Sequence, residues 1–120
     1  MKIFVCSDTH FGHANIIRYC SRPFANANDM DNALIERWNS RVSEADIVYF
    51  LGDFAFTSID RMKEIFAQLR FASCFFVPGN HDKKLKDYWE FSLCDRIDRV
   101  EAIRSVDEAK LDGRHFVLCH

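Results

Sequence analysis

Short apolar runs alternate along the chain with segments in which apolar residues recur every three or four positions. The apolar runs cover residues 2–7, 47–51 and 74–77, have strand length, and are rich in β-branched and aromatic side chains. Helical periodicity covers residues 30–42 and again residues 59–69. The order strand, helix, strand, helix, strand predicts an α/β fold with a largely parallel core sheet.

Polar residues mark the ends of several predicted elements. The first long helix is expected to have its cap at Asn28 or Asp29, and the second to start with a capping box formed by Thr57 and Asp60. The dipeptide Asp112-Gly113 suits a tight turn, and it predicts a hairpin between two late strands, residues 99–110 and 114–119.

Composition and charge narrow the class of protein. The 120 residues, 48% of them hydrophobic and 14% aromatic, are enough for one globular domain with a core. The net charge of -2 arises from 16 basic and 18 acidic residues spread along the chain, which gives no attraction to membranes or to nucleic acid. No apolar stretch approaches the roughly 18 residues of a membrane span, so we expect a soluble cytoplasmic protein with no membrane partner.

The five cysteines are odd in number and widely spaced, which predicts reduced thiols rather than a disulfide framework. They form no CxxC pair of the kind found in zinc knuckles. Any metal ion is therefore expected to be held by oxygen and imidazole ligands.

A polar cluster follows each of the first two predicted strands. Asp8 and His10 come after the first strand, and Gly52-Asp53 after the second. Ligands of open α/β sheets bind outside the carboxyl ends of the strands, so these clusters are expected to converge. In an extended segment Asp8 and His10 would point to the same side. Taken singly, each cluster is more often a turn or a helix cap.

The third cluster, Pro78-Gly79-Asn80-His81-Asp82, is more specific than the first two. Pro78 ends the strand ladder and Gly79 permits a sharp backbone path. The alternative is a cap on a helix over residues 83–91, but a cap requires one such polar residue and leaves His81 unexplained. The cluster therefore favours a site over a simple cap.

The ordered set Asp8-x-His10, Gly52-Asp53 and Gly79-Asn80-His81-Asp82 resembles the motifs of calcineurin-like metallophosphoesterases. Residues 7–13 and 118–120 resemble the small bacterial and phage branch of that superfamily in particular. The resemblance implies a layered α/β/β/α sandwich and two divalent metal ions, which could be Mn, Fe, Zn or Ni. It implies that Asp8 and His10 bind one metal, Asp53 bridges both, Asn80 and His120 bind the second, His81 acts on the substrate, and Asp82 orients His81.

The activity implied by the resemblance is hydrolysis of phosphomonoesters or phosphodiesters by a water that both metals activate. A carboxylate such as Asp53 can hold two cations, and the amide of Asn80 coordinates without adding negative charge. His81 would give a proton or a hydrogen bond to the leaving oxygen. The phosphate ester is the expected partner, and nucleic acid is considered only as a substrate.

The late Gly-His-x-His motif of the family does not occur in residues 1–120. We therefore expect these residues to be the N-terminal portion of the domain, truncated at the C-terminus, with an incomplete set of metal ligands. The chain is expected to hydrolyse aryl phosphates more slowly than a version extended past His120.

Three further residues are candidates for contact with the substrate. His13 follows the first polar cluster, and it could equally cap a helix over residues 14–20. Arg18 and Arg22 could bind a phosphate oxygen, although surface ion pairs are the commoner fate of arginine. The rival to an enzyme is a scaffold of the same fold that binds proteins without catalysis, as the retromer subunit of the superfamily does. Loss of ligand residues would favour the scaffold, and the expected ligand types are kept at the matching positions.

Overall fold

A computed structural model describes residues 1–77, 82, 100–102, 106–111 and 114–119. These residues form three helices and six strands: β1 (Ile3–Cys6), α1 (Ala14–Tyr19), α2 (Ala27–Asn39), β2 (Ile47–Phe50), α3 (Ile59–Gln68), β3 (Ser73–Phe76), β4 (Val100–Ala102), β5 (Val106–Leu111) and β6 (Arg114–Cys119). In this part of the chain no helix is long and apolar enough to cross a membrane.

Four strands form a parallel sheet in the order β1, β2, β3, β4. Helices α1 and α2 connect β1 to β2, and α3 connects β2 to β3. Strands β5 and β6 pair antiparallel as a separate hairpin, in which Leu111 lies opposite Arg114. The predicted α/β fold with a parallel core sheet is confirmed, and so is the late hairpin.

The prediction of one strand over residues 99–110 is wrong. This segment contributes β4, which pairs with β3, and β5, which pairs with β6. The two strands belong to different sheets with different partners, so a single continuous strand could not satisfy both pairings. The alternation of side chains predicted extended backbone here but carried no information about the sheet that each part joins.

The core lies on one face of the parallel sheet. Alternate residues of β2 and β3, including Phe50 and Phe76, are buried there among apolar side chains of α2 and α3. Aromatic rings fill much of this layer: the Phe50 and Phe76 rings stack with centroids 5.3 Å apart, and those of Phe54 and Phe66 with centroids 4.2 Å apart. The period of two in the strands and of three to four in the helices thus brings the predicted apolar stripes together.

The observed caps of the two long helices differ from the predicted ones by one to three residues. The cap of α2 is Asn26, whose side chain accepts a hydrogen bond from the Asp29 N–H at 2.8 Å. The cap of α3 is Ser58, whose hydroxyl accepts from the Arg61 N–H at 3.2 Å. Neighbouring polar residues offer equivalent capping groups, so sequence alone does not decide which of them leaves the helical conformation.

A single buried residue, Asp46, ties together the amino ends of the first three strands through its carboxylate and its backbone carbonyl. Asp46, directly before β2, accepts hydrogen bonds from the Lys2 N–H at 2.7 Å and the Ser43 N–H at 2.8 Å. Its own carbonyl accepts from the Ala72 N–H at 2.7 Å, directly before β3 begins at Ser73. These hydrogen bonds lower the pKa of the Asp46 carboxyl below its ordinary value.

Two of the free cysteines of the described residues, Cys6 and Cys74, lie on the core face of the sheet. Burial raises the pKa of the Cys6 thiol to about 12 and also raises that of Cys74. Both are therefore protonated thiols that pack as small apolar side chains.

Candidate metal centre

The site is built where β1 and β2 end side by side. Their register pairs Cys6 with Phe50, so the loops that follow begin at the same level of the sheet. Backbone hydrogen bonds continue between the loops: the Asp8 N–H donates to the Gly52 carbonyl at 3.0 Å and the His10 N–H to the Asp53 carbonyl at 3.1 Å. The two loops are therefore hydrogen-bonded to each other beyond the strand ends.

Three residues of these loops other than glycine have a left-handed backbone. The φ angles are 58° at Asp8, 52° at His10 and 53° at Asp53, values that residues other than glycine rarely adopt. The prediction that Asp8 and His10 converge because their segment is extended is therefore wrong. The two side chains meet because the backbone turns at both positions, and such strain is characteristic of functional sites.

The side chains of Asp8, His10 and Asp53 meet, with one ligand atom of each lying within 4.8 Å of the others. The His10 Nε2 atom is 3.6 Å from Asp8 Oδ1 and 3.9 Å from Asp53 Oδ2. These distances are too long for hydrogen bonds, and they are typical of atoms that bind one cation at about 2.0–2.2 Å each. Two carboxylates and an imidazole are also ligands that divalent transition metals accept. The residues therefore fit a metal ion.

The electrostatic environment favours the form of His10 that binds cations. Burial lowers the pKa of the His10 imidazole below its ordinary value, although the nearby Asp53 carboxylate opposes this shift. His10 and Asp53 are buried, whereas Asp8 is exposed at the mouth of the site. The imidazole is thus neutral near pH 7, with a lone pair for coordination.

Arg22 supports the first loop from outside it. Its guanidinium donates to the carbonyl of Thr9 at 2.7 Å through Nη1 and to that of Asp8 at 2.9 Å through Nη2. The Thr9 hydroxyl in turn donates to the Phe54 carbonyl at 2.8 Å, which links the first loop to the second. Arg22 is thus a support for the loop that carries Asp8, and its predicted contact with substrate stays a prediction.

Asp82 supports the second loop in the complementary way. This carboxylate, 1% exposed, accepts a hydrogen bond from the Asp53 N–H at 2.6 Å and from the Phe54 N–H at 2.9 Å. Charged acceptors form the stronger class of hydrogen bond, and here they hold the strained backbone of Asp53. The predicted role of Asp82 in orienting His81 is not tested by these contacts and stays a prediction.

Sequence reasoning missed Asp31, a buried carboxylate of α2. Its Oδ1 atom accepts from the Gly12 N–H at 2.8 Å, and Oδ2 lies 3.6 Å from Arg61 Nη2. Burial raises the pKa of Asp31, and the hydrogen bond from Gly12 and the Arg61 charge oppose the shift. One signal was present in the sequence: Asp31 lies four residues before Ile35, so it is on the apolar face of its helix.

The other candidate substrate residues lie at different distances from the metal ligands. The His13 Nδ1 atom is 3.3 Å from His10 Nδ1, so His13 adjoins the site. His13 is also the N-cap residue of α1, as the alternative held, but its side chain makes no capping hydrogen bond: its backbone carbonyl accepts from the Ile16 N–H at 3.2 Å. Arg18 is exposed in α1 with its guanidinium carbon 5.9 Å from the centroid of the Tyr19 ring.

Three predicted site residues lie outside the described residues: Asn80, His81 and His120. Their roles at a second metal and at the leaving group stay predictions. Of the described candidates, Asp8, His10 and Asp53 share one cluster, His13 contacts it, and Asp82 and Arg22 hold its backbone.

The chain is similar to known proteins in sequence and in fold. The sequence model of the calcineurin-like phosphoesterase family matches residues 1–120. MJ1445, an uncharacterized protein of Methanocaldococcus jannaschii, is 48% identical over 84 residues, which are 68% of this chain and 47% of that protein. The crystal structure of AQ665, a protein of unknown function from Aquifex aeolicus, matches with a TM-score of 0.75 and 24% identity over 100% of this chain and 61% of that one. The chain thus spans less than two thirds of either relative, and the likeness to AQ665 concerns the fold alone.

Proposed function

Because the chain belongs to the calcineurin-like phosphoesterase family, we propose that it hydrolyses phosphomonoesters or phosphodiesters at a centre of two divalent metal ions. The observation that carries the proposal is the cluster of Asp8, His10 and Asp53 at the carboxyl ends of β1 and β2. Support also comes from the surrounding backbone, which is held in strained conformations that orient these three side chains.

The residues divide into ligands and groups that act on the substrate. Asp8 and His10 would hold one ion, Asp53 would bridge the two, and Asn80 and His120 would hold the second. Divalent ions in such a pair neutralise the phosphoryl oxygens and lower the pKa of a water between them. His81, with Asp82 beside it in sequence, would donate a proton to the leaving oxygen.

The ligand set agrees with Mn²⁺, Fe, Zn²⁺ or Ni²⁺, since all of these accept mixed oxygen and nitrogen donors. His10 and Asp53 are buried and Asp8 is exposed, so we propose that a substrate enters from the side of Asp8. Arg18 and Arg22 follow the loop of Asp8 along the chain, and we propose them with His13 as substrate contacts.

The experiment is metal analysis of the purified protein together with hydrolysis of p-nitrophenyl phosphate and bis(p-nitrophenyl) phosphate, with and without MnCl₂. We expect hydrolysis that depends on Mn²⁺ and that is lost on removal of metal with EDTA. Asp53→Asn should reduce the rate by more than the roughly 10–100-fold that follows loss of an outer partner of a ligand.

Asp46→Asn is the matched control, because it also removes a buried carboxylate charge but lies at the opposite end of β2. It should leave hydrolysis intact. If wild type binds Mn²⁺ but hydrolyses neither ester, the result would contradict the proposed enzymatic function and favour a non-catalytic scaffold. Mono- and diester rates compared in the same assay decide which class of ester is the better substrate.

A further inference from the structure

The contact between His10 and His13 joins two ring nitrogens. The two Nδ1 atoms are 3.3 Å apart, and the rings are tilted by 43° with centroids 5.4 Å apart. On its other side the His13 ring packs against Phe56, with centroids 5.0 Å apart. His13 is therefore held in place with Nδ1 directed at His10.

The backbone between the two histidines fixes this arrangement. The His13 N–H donates to the His10 carbonyl at 3.1 Å, which closes a tight turn. Gly12 has a φ angle of 70° within the turn, and its N–H donates to the buried Asp31 carboxylate at 2.8 Å. The backbone of His13 is thus fixed next to that of His10 by these hydrogen bonds.

The protons of the two imidazoles can be assigned from this geometry. His10 Nε2 faces the carboxylates of Asp8 and Asp53, so it must keep a lone pair if it is to bind a cation. A neutral imidazole carries one proton, which in His10 is then on Nδ1. The Nδ1 atom of His13 lies within hydrogen-bond reach of that N–H, and to accept from it His13 carries its own proton on Nε2.

We propose that His13 is a positioning residue that fixes His10 in the Nδ1–H tautomer and thereby presents the Nε2 lone pair to the metal. The inference rests on the proposed function and deepens it. Histidine ligands of metals commonly donate their other N–H to a carboxylate or a carbonyl, and here a second imidazole takes that place. His13 acts through His10 and is not itself a metal ligand.

Two variants separate the hydrogen bond from the packing. His13→Phe keeps an aromatic ring against Phe56 but has no acceptor. His13→Asn loses the ring but places a carbonyl oxygen the same number of bonds from Cα as Nδ1. We expect His13→Phe to weaken Mn²⁺ binding to the protein by roughly 10–100-fold. His13→Asn should have an affinity closer to that of wild type than to that of His13→Phe. The measurement is calorimetric titration of metal-free protein with MnCl₂.

The second readout is the tautomer itself. The ring ¹⁵N chemical shifts of metal-free wild type should place the proton of His10 on Nδ1 and that of His13 on Nε2. A His10 proton on Nε2 would overturn the inference, and so would His13→Phe binding Mn²⁺ as tightly as wild type. The spectrum of wild type decides the matter even if a variant does not fold. Failure of wild type to bind Mn²⁺ would instead refute the proposed metal centre, with the tautomer still decided by the spectrum.

Discussion

At the scale of single residues, the site combines strained backbone with hydrogen bonds that hold it. The left-handed φ angles at Asp8, His10 and Asp53 each raise the free energy of the folded backbone by roughly 1–3 kcal/mol. Arg22 donates to the carbonyls of the first loop, and Asp82 accepts from the N–H groups of the second. The ligands are thereby oriented before a metal arrives, which increases affinity because little ordering remains to be done on binding.

Asp82→Asn is expected to weaken Mn²⁺ binding and lower stability together. The asparagine amide would put an N–H group opposite one of the backbone donors of Asp53 and Phe54, which now face a carboxylate. The free energy of unfolding should fall by about 1.5–3 kcal/mol, the value of a hydrogen bond to a charged group. Calorimetric titration with MnCl₂ and urea denaturation measure the two effects.

Asp46→Asn is the control for this experiment, since Asp46 also accepts two backbone N–H bonds through a buried carboxylate. It should lower stability without changing Mn²⁺ affinity, because it lies at the other end of β2 from Asp53. Equal losses of affinity in both variants would show that general destabilisation, and not the hold on Asp53, weakens binding. The predicted orientation of His81 by Asp82 is tested separately, by the rate of hydrolysis at saturating Mn²⁺.

Gly12→Ala should destabilise the turn that carries His13. A Cβ atom at position 12 would lie 2.7 Å from Thr57 Cβ, and φ is +70°. The left-handed conformation alone disfavours alanine by about 1–2 kcal/mol, and the steric clash adds to this. Urea denaturation measures the loss. In the Thr57→Gly background the clash is removed, so Gly12→Ala should be less harmful there, and an equal effect in both backgrounds would contradict the predicted clash.

At the scale of elements, the two ends of the parallel strands have different tasks. The carboxyl ends of β1 and β2 carry the candidate metal ligands Asp8, His10 and Asp53, and the amino ends are joined by Asp46. Parallel strands begin together at one edge of the sheet, so one carboxylate can hold the segment before β1 and the segment before β2. The strand register that brings Asp8 beside Gly52 is thus supported by Asp46 from the opposite ends of the strands.

The contribution of Asp46 to stability is expected to depend on pH. Hydrogen bonds lower its pKa in the folded protein, so the stabilisation is present above the unfolded pKa of about 3.9 and is lost as pH falls through the folded value. The difference in unfolding free energy between wild type and Asp46→Asn should therefore be constant near neutral pH and shrink below about pH 4. Urea denaturation at several pH values tests this.

Glu36→Gln is the matched variant, because Glu36 is an exposed acidic residue in the C-terminal part of α2. Its difference from wild type should be small at every pH. A difference for Asp46→Asn that stays unchanged down to pH 2 would contradict the role given to the carboxylate charge.

At the scale of the whole molecule, the candidate metal-binding cluster of Asp8, His10 and Asp53 is assembled only in the folded chain. Asp53 is far from Asp8 and His10 in sequence, so an unfolded chain does not present the three ligands together. A metal that binds the folded form alone stabilises it by about 2.7 kcal/mol when its concentration is 100 times Kd. MnCl₂ should therefore raise the Tm of wild type, and EDTA should reverse the shift. An equal shift in Asp53→Asn would place the binding elsewhere.

The sequence predicted the main elements and the family. The family resemblance drawn from the motifs is confirmed over residues 1–120, and strands β1 to β3 lie within one residue of the predicted runs. Errors concerned choices between local equivalents, such as Asn26 in place of Asn28 as a cap. The division of residues 99–110 into β4 and β5 was missed for a related reason, since the pairing partner of a strand is chosen by distant residues.

The sequence by itself determined which side chains are offered for chemistry and in what order along the chain. Apolar strands ending in Asp8, His10 and Asp53 are a local pattern, and parallel strands bring their carboxyl ends to one edge. Only the tertiary structure decided how these three side chains are oriented. The left-handed turns are held by hydrogen bonds between distant segments. One example is the bond that the Asp53 N–H donates to the Asp82 carboxylate, 29 residues further along the chain. No local propensity encodes such contacts, because they form only after the sheet has brought the loops together.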